Sequence, residues 1–282
     1  TDNGTTYTNI IDATTSPVTY SPNGITKYRA VVTNGTCTAA NSSVETININ
    51  QGFGNAMDFS GGNDFVQTGQ IFPSNVTDFT IEAWVKPDYQ EFSYTATYLL
   101  GSLSSGQWNP TISIGNHGGN QDPTGRLSFF FPGQFGNSTI TSAQPNFVQG
   151  KWAHIAVVKN GTTASMYVNG QKVMNLVGGI TNGEVTVDQT FQIPNNFYRL
   201  GSISDNSNFS ANWYSGKMDE VRFWSTARSQ SEIQANMNIE LSGSPTGLLA
   251  YYKFNQGVAN GANTGITTLT DSSTNQNDGT LT

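Results

Sequence analysis

The chain contains two histidines, His117 and His154, so a His-rich zinc site is excluded and a Ser-His-Asp triad would have to use one of the two. His154 lies in the run KWAHIAVV close to Trp152 and reads as a sheet residue. A retaining glycosidase needs two carboxyl groups about 5 Å apart. Asp219 and Glu220 are adjacent in an alternating segment, which predicts that they point to opposite faces of one strand. No catalytic residue is assigned. Two loops, Gly101 to Arg126 and Ser202 to Ser215, offer a different chemistry through Trp108, His117, Asn120, Asp122, Asp205, Asn208, Trp213 and Tyr214. Flat rings beside short polar groups are what a pyranose requires, because it presents C–H faces to a ring and hydroxyls to amides and carboxylates. These residues are the candidate ligand-binding set, with a polysaccharide or glycoconjugate as partner.

The elements that must position them are short strands. Between Lys151 and Val173, Ala153, Ile155 and Val157 share one face of a strand and Met166 and Val168 one face of the next. Asn160-Gly161 predicts the reversal between them, and Asn169-Gly170 a second one into a short edge. Phe79, Ile81, Ala83 and Val85 alternate with Thr80, Glu82, Trp84 and Lys86. Asp219, Val221 and Phe223 alternate with Glu220, Arg222 and Trp224. One helix is predicted from Ser229, where Ser229 and Glu232 form a capping box, Ile233, Met237 and Leu241 share a face, and Gly243 and Pro245 stop the run. A second candidate surface is the sheet face carrying Glu82, Trp84, Trp152, His154, Tyr167, Glu220, Arg222 and Trp224. The helix must bury its apolar side somewhere, and that aromatic face is the natural place.

With 282 residues, a net charge of −7 and only 11% charged residues, the composition suits strands joined by many turns. No basic run, phosphate-binding loop, dinucleotide-type glycine pattern or long apolar span is present, which argues against nucleic acid, nucleotide and membrane insertion. Thr1 falls inside a polar run, as at a processing boundary. Residues 1–50 read as a smaller β unit, with a strand at Lys27 to Thr33, a turn at Asn34-Gly35 and alternation from Val44 to Ile49. An immunoglobulin-like sandwich needs about seven strands, so this unit reads as the C-terminal half of one. Residues 51–55 read as a linker, 56–256 as the main sandwich and 257–282 as a Gly, Asn, Thr and Ser-rich segment.

Six motifs in order carry a family resemblance: AMDFSGGNDFV from Ala56, DFTIEAWVKP from Asp78, KWAHIAVV from Lys151, YVNG from Tyr167, RLGS from Arg199 and GKMDEVRFW from Gly216. Residues 56–256 resemble the laminin-G-like, concanavalin-like modules of secreted bacterial proteins, including the pentraxin-like branch. The resemblance implies an all-β antiparallel jelly-roll sandwich and a non-catalytic carbohydrate-binding or adhesin module of a large secreted or cell-surface protein, joined to neighbouring domains. The other class in view is a structural spacer or protein-binding adhesion domain. Glycosidases of such folds carry E-x-D-x-E or E-x-D-x-x-E on one strand, and neither string occurs. Tyr252 to Gln256 is faintly similar to a strand of alginate lyases, whose R-x-E-x-R and Q-x-H strands are missing. The resemblance further implies calcium at the sandwich rim, with Asp205 and Asn208 as ligands and Asp219 and Asp271 as a second set. Calcium takes about 6 to 8 oxygens, so backbone and water would supply most of them. The competing reading of each Asp is a turn or strand residue accepting backbone N–H bonds. Cys37 matches a cysteine of bacterial immunoglobulin-like repeats whose partner would lie upstream of Thr1; an unpaired thiol is the alternative. In many relatives a strand like LLAYYKFN and a turn like Asp271 to Gly279 precede the first motif. Their position here implies either a permuted sandwich or the start of a further module.

Overall fold

The computed structural model describes residues 26–28, 31–32, 40–41 and 45–47, and from 54 onward all except 63, 89–96, 105–106, 115–124, 132–137, 144–145, 175–183, 194–196 and 204–212. The chain divides into two compact units, Thr1–Gly52 and Phe53–Thr282. In the smaller one, Thr26–Tyr28 pairs antiparallel with Glu45–Ile47, and Val31–Val32 with Ala40–Asn41. Cys37 and the Asn34-Gly35 turn lie outside the described residues.

The larger unit is a sandwich of two antiparallel sheets. The first runs Gln171–Lys172, Thr163–Val168, Ala153–Asn160, Phe79–Pro87, Ser215–Trp224, Leu248–Tyr252 in hydrogen-bonded order. Glu184–Thr186 joins it beside Thr163–Val168, and Met57–Ser60 beside Ser215–Trp224. The second runs Ser138–Thr141, Leu127–Phe131, Thr111–Ile114, Thr97–Gly101, Tyr198–Leu200, Val66–Thr68, Gly279–Leu281, Thr268–Leu269. Period-two alternation sends Phe79, Ile81, Ala83 and Val85 from one sheet, and Ile112, Phe129, Tyr198 and Leu200 from the other, into a shared core. Each such burial contributes roughly 1.5–3 kcal/mol relative to exposure for the larger side chains.

The central hairpin forms as the alternation predicts, with Asn160 paired to Thr163. Its two turn residues are therefore Gly161 and Thr162, and of these Gly161 takes positive φ; Asn160 belongs to the strand. Asn169 and Gly170 both have positive φ and connect Val168 to Gln171, the geometry of a type I′ turn.

Strict alternation fails in a strand that lies beside Phe79–Pro87. The strand Ser215–Trp224 pairs Asp219 with Trp84 but Arg222 with Glu82, so it carries one extra residue there. Glu220 takes φ +52° at this bulge. Its carboxylate is held by Arg222 and Tyr251, on the same side as Asp219. The expectation that Asp219 and Glu220 face opposite ways is thereby corrected.

The helix spans Gln230–Asn236, with Ser229 as N-cap and the capping box with Glu232 complete. It is shorter than the predicted face from Ile233 to Leu241. Side chains from the sheet take the carbonyls at its end: Arg222 Nη1 donates to Asn236 O at 2.9 Å, Trp84 Nε1 to Met237 O at 2.6 Å and Arg222 Nη2 to Ile239 O at 2.6 Å. A guanidinium at a helix C-terminus satisfies orphan carbonyls and complements the dipole. Ile233 packs on Ala156, Val158 and Tyr167. Leu241 is buried beyond the helix, against Trp224, Leu248 and Tyr251.

The C-terminal segment completes this sandwich. Gly279–Leu281 pairs with Val66–Thr68 on one side and Thr268–Leu269 on the other. Asn55, expected in the linker, is tied to the sandwich through Asn255 Oδ1 at 3.0 Å and Gly257 O at 3.3 Å.

Candidate functional site

Each face of the sandwich has its own chemistry. On the helix side, Glu82, His154, Glu220, Arg222 and Trp224 are at most 1% exposed. Trp224 Nε1 donates to Glu82 Oε1 at 2.8 Å, and His154 Nε2 lies 3.5 Å from Glu82 Oε2. Burial raises the Glu82 and Glu220 carboxyls, opposed by the Arg222 guanidinium. Burial, with Arg222 second, lowers the His154 imidazole to about 3, so it is neutral. Burial and the neighbouring Glu220 push Asp219 up to about 8. These acids are brought together by the bulge, yet the helix and the chain after it cover them. They form a buried network that anchors the helix end.

The opposite face belongs to the second sheet. Val66 and Thr68 point inward, which turns Phe65 and Gln67 outward; Tyr198 and Leu200 point inward, which turns Phe197 and Arg199 outward. Arg199 and Gln67 are directly paired across the strands, and Arg199 Nε and Nη2 donate to Gln67 Oε1 at 3.1 and 3.0 Å. The guanidinium stacks 4.1 Å above the Phe65 ring and 5.6 Å from that of Phe197. The Phe65 and Trp213 rings lie 5.9 Å apart at 33°. Phe65, Phe197 and Trp213 are half-buried and Gln67 is exposed. Two rings flanking a guanidinium, with Trp213 packed on the first, make a partly exposed aromatic surface, able to stack a flat apolar face while Gln67 offers a polar group at its edge.

Of the predicted ligand-binding residues, Trp213 lies on this surface, held by a bridge to Tyr98. Tyr214 does not. It is fully buried, its ring packs edge-on to Phe59 at 5.8 Å, and its hydroxyl donates to Lys217 O and accepts from Lys86 N. The extended backbone here turns consecutive side chains to opposite faces, so only one of the two can leave the core. Trp108 lies in the strand Gln107–Trp108, paired with Leu103–Ser104. His117, Asn120, Asp122, Asp205 and Asn208 lie outside the described residues. Phe65, Gln67, Phe197 and Arg199 were missed, although the alternation in DFVQT and FYRLG carries the signal.

The second calcium set does not fit a metal. Asp271 accepts from Tyr251 N, Ser273 N, Ser273 Oγ and Asn277 N, all within 2.7–2.8 Å, and is 5% exposed. Asp219 accepts from Glu220 N at 2.8 Å beneath the helix end. Among the described residues no group of three or more His, Cys, Asp or Glu is arranged to hold a metal ion.

Two antiparallel sheets, a shared apolar core and one covering helix define a lectin-like β-sandwich. Residues 60–234 match the Concanavalin A-like lectin/glucanases superfamily, and the chain belongs to it. Residues 1–51 match a domain family of unknown function. Mouse (Mus musculus) pappalysin-1 is 26% identical over 170 residues, 56% of this chain and 10% of that protein. A Bacteroides ovatus protein provisionally classed as carbohydrate-binding superposes with TM-score 0.60 and 24% identity over 80% of this chain and 57% of that one. A heptameric pentraxin from Limulus polyphemus aligns at TM-score 0.44 and 16% identity, over 63% of this chain and 78% of its own. The chain thus spans a tenth of pappalysin-1 and little over half of the Bacteroides protein. No helix among the described residues is long and apolar enough to cross a membrane.

Proposed function

We propose that the larger unit is a non-catalytic carbohydrate-binding module, acting as a lectin or adhesin segment of a secreted or cell-surface protein with further domains. The observation that carries this is the half-buried Trp213–Phe65 pair beside Arg199 and Gln67, on the sheet face that the helix leaves uncovered. Membership in a lectin and glucanase superfamily supports it, as does the likeness to the Bacteroides protein. The burial of Glu82, Glu220 and Asp219, at most 5% exposed, supports the non-catalytic reading.

A spacer or protein-binding adhesion domain is the second reading, favoured by the burial of Trp84, Tyr167, Trp224 and Tyr214. Calcium is proposed only for the segment with Asp205 and Asn208, on the sequence argument. A glycan array with the full chain, with and without chelator, tests all three. Discrete glycan hits support the module, no hits support the spacer, and hits lost on chelation support the metal.

A further inference from the structure

A cavity of about 180 Å³ opens on the helix side of the first sheet, away from the Trp213 face, and is lined by Thr163, Ser165, Tyr167, Glu184, Arg228 and Ser229 among others. Its wall follows from the strand period. Ala164, Met166 and Val168 enter the main core, so Thr163, Ser165 and Tyr167 turn two hydroxyls and a phenol ring toward the opposite face.

Arg228 is the unusual member. Its side chain is 10% exposed and its guanidinium stacks 4.1 Å over the Trp224 ring. Its backbone N–H donates to Thr80 Oγ1 at 2.9 Å, which fixes the base of the side chain. Yet its Nε is buried with no hydrogen-bond partner. Glu232 Oε1 is 3.8 Å from Nη1, beyond hydrogen-bond length, and the other oxygen of that carboxylate is held by Ser229 N and Oγ, both at 2.8 Å. Glu184 is engaged by Lys172 at 2.5 Å. A buried charged donor left without an acceptor costs more than a neutral one. The Arg228 side chain thus has no hydrogen-bond acceptor of its own, and a ligand entering the cavity can supply one to its terminal nitrogens.

We propose that this cavity is a subsite for one carboxylate-bearing sugar residue, of the uronic-acid type. A planar carboxylate matches the guanidinium fork in two parallel hydrogen bonds. The hydroxyls of Thr163 and Ser165 suit the hydroxyls of a pyranose, and Tyr167, whose ring is otherwise packed on Ile233, lines the cavity beside them. At about 180 Å³ the cavity is on the scale of one sugar ring. A dianion such as phosphate meets more repulsion from Glu184, Glu232 and the net charge of −7 than a monoanion does. This site is independent of the Trp213 face.

The test is an NMR titration of the full chain, observing the Arg228 Nε–H and Tyr167 signals, with glucuronate, its neutral methyl ester, glucose and acetate. Glucuronate is expected to saturate both signals and to bind roughly tenfold or more tightly than the ester, glucose or acetate. Arg228→Gln should remove the difference between glucuronate and ester, whereas Trp213→Ala should leave it intact. Equal binding of glucuronate and ester, acetate matching glucuronate, or no saturable glucuronate binding would each overturn the proposal. The ligand comparison on the unmodified chain decides the matter even where Arg228→Gln fails to fold.

Discussion

Asp219 and Glu220 follow one another in the chain and stand on the same face of their strand, because the bulge at Glu220 inserts one residue between the pairings Asp219–Trp84 and Arg222–Glu82. Arg222 is thereby placed between Glu82 and Glu220 and also reaches the carbonyls at the helix end. Replacing it leaves two buried carboxylates without their cation. Arg222→Met should destabilise the large unit by about 3–5 kcal/mol in denaturant unfolding and release the helix in hydrogen exchange. A loss under about 1 kcal/mol would show that the network contributes little.

The same bulge sets a pH dependence. Asp219 is raised from 3.8 to about 8 by burial and by Glu220. Across that window the folded state holds a proton that the unfolded state has released, so stability is greatest below the unfolded value and declines as pH rises to about 8. Asp219→Asn removes this contribution. The stability of the variant relative to the parent should climb from about pH 4 to about pH 8 and level off above; a flat difference would mean that Asp219 is ionised in the fold.

Asp271 closes the turn that carries the last strand. Asp271→Ala removes an acceptor from four donors, and a loss of about 2–4 kcal/mol is expected, the same with calcium or with chelator. A loss that appears only in the presence of calcium would restore a metal role to this residue.

Deleting residues 257–282 uncovers the Val66–Thr68 edge and strips Tyr252 Oη of its acceptor, Asn277 O at 2.6 Å. An exposed edge beside an opened core favours aggregation. The truncated chain should be insoluble or lose cooperative unfolding, and a soluble product with an unchanged Tm would show that the strand is dispensable.

The sandwich was legible because its signal is period two, and Phe79 to Val85 or Ala153 to Val157 place their apolar sets in the core as that period requires. Burial of the aromatic face beneath the helix followed from the need to cover Ile233. Periodicity has no term for an inserted residue, so the bulge at Glu220 was invisible, and with it the shared face of Asp219 and Glu220. The helix is shorter than its apolar spacing predicts because its end is set by Arg222 and Trp84, which are distant in sequence. Trp213 and Tyr214 were grouped by proximity, while the backbone there alternates. Phe65 and Arg199 lie in motifs that carry the family resemblance, and it is their alternation with Val66 and Leu200 that sets them outward.

The central claim is most directly measured by titrating the best array ligand into the full chain and into Trp213→Ala, with circular dichroism confirming that the variant is folded. Loss of a stacking ring should weaken binding at least roughly fivefold, about 1 kcal/mol or more, and Phe65→Ala should act in the same direction. Unchanged affinity in both variants would contradict a binding face at Trp213.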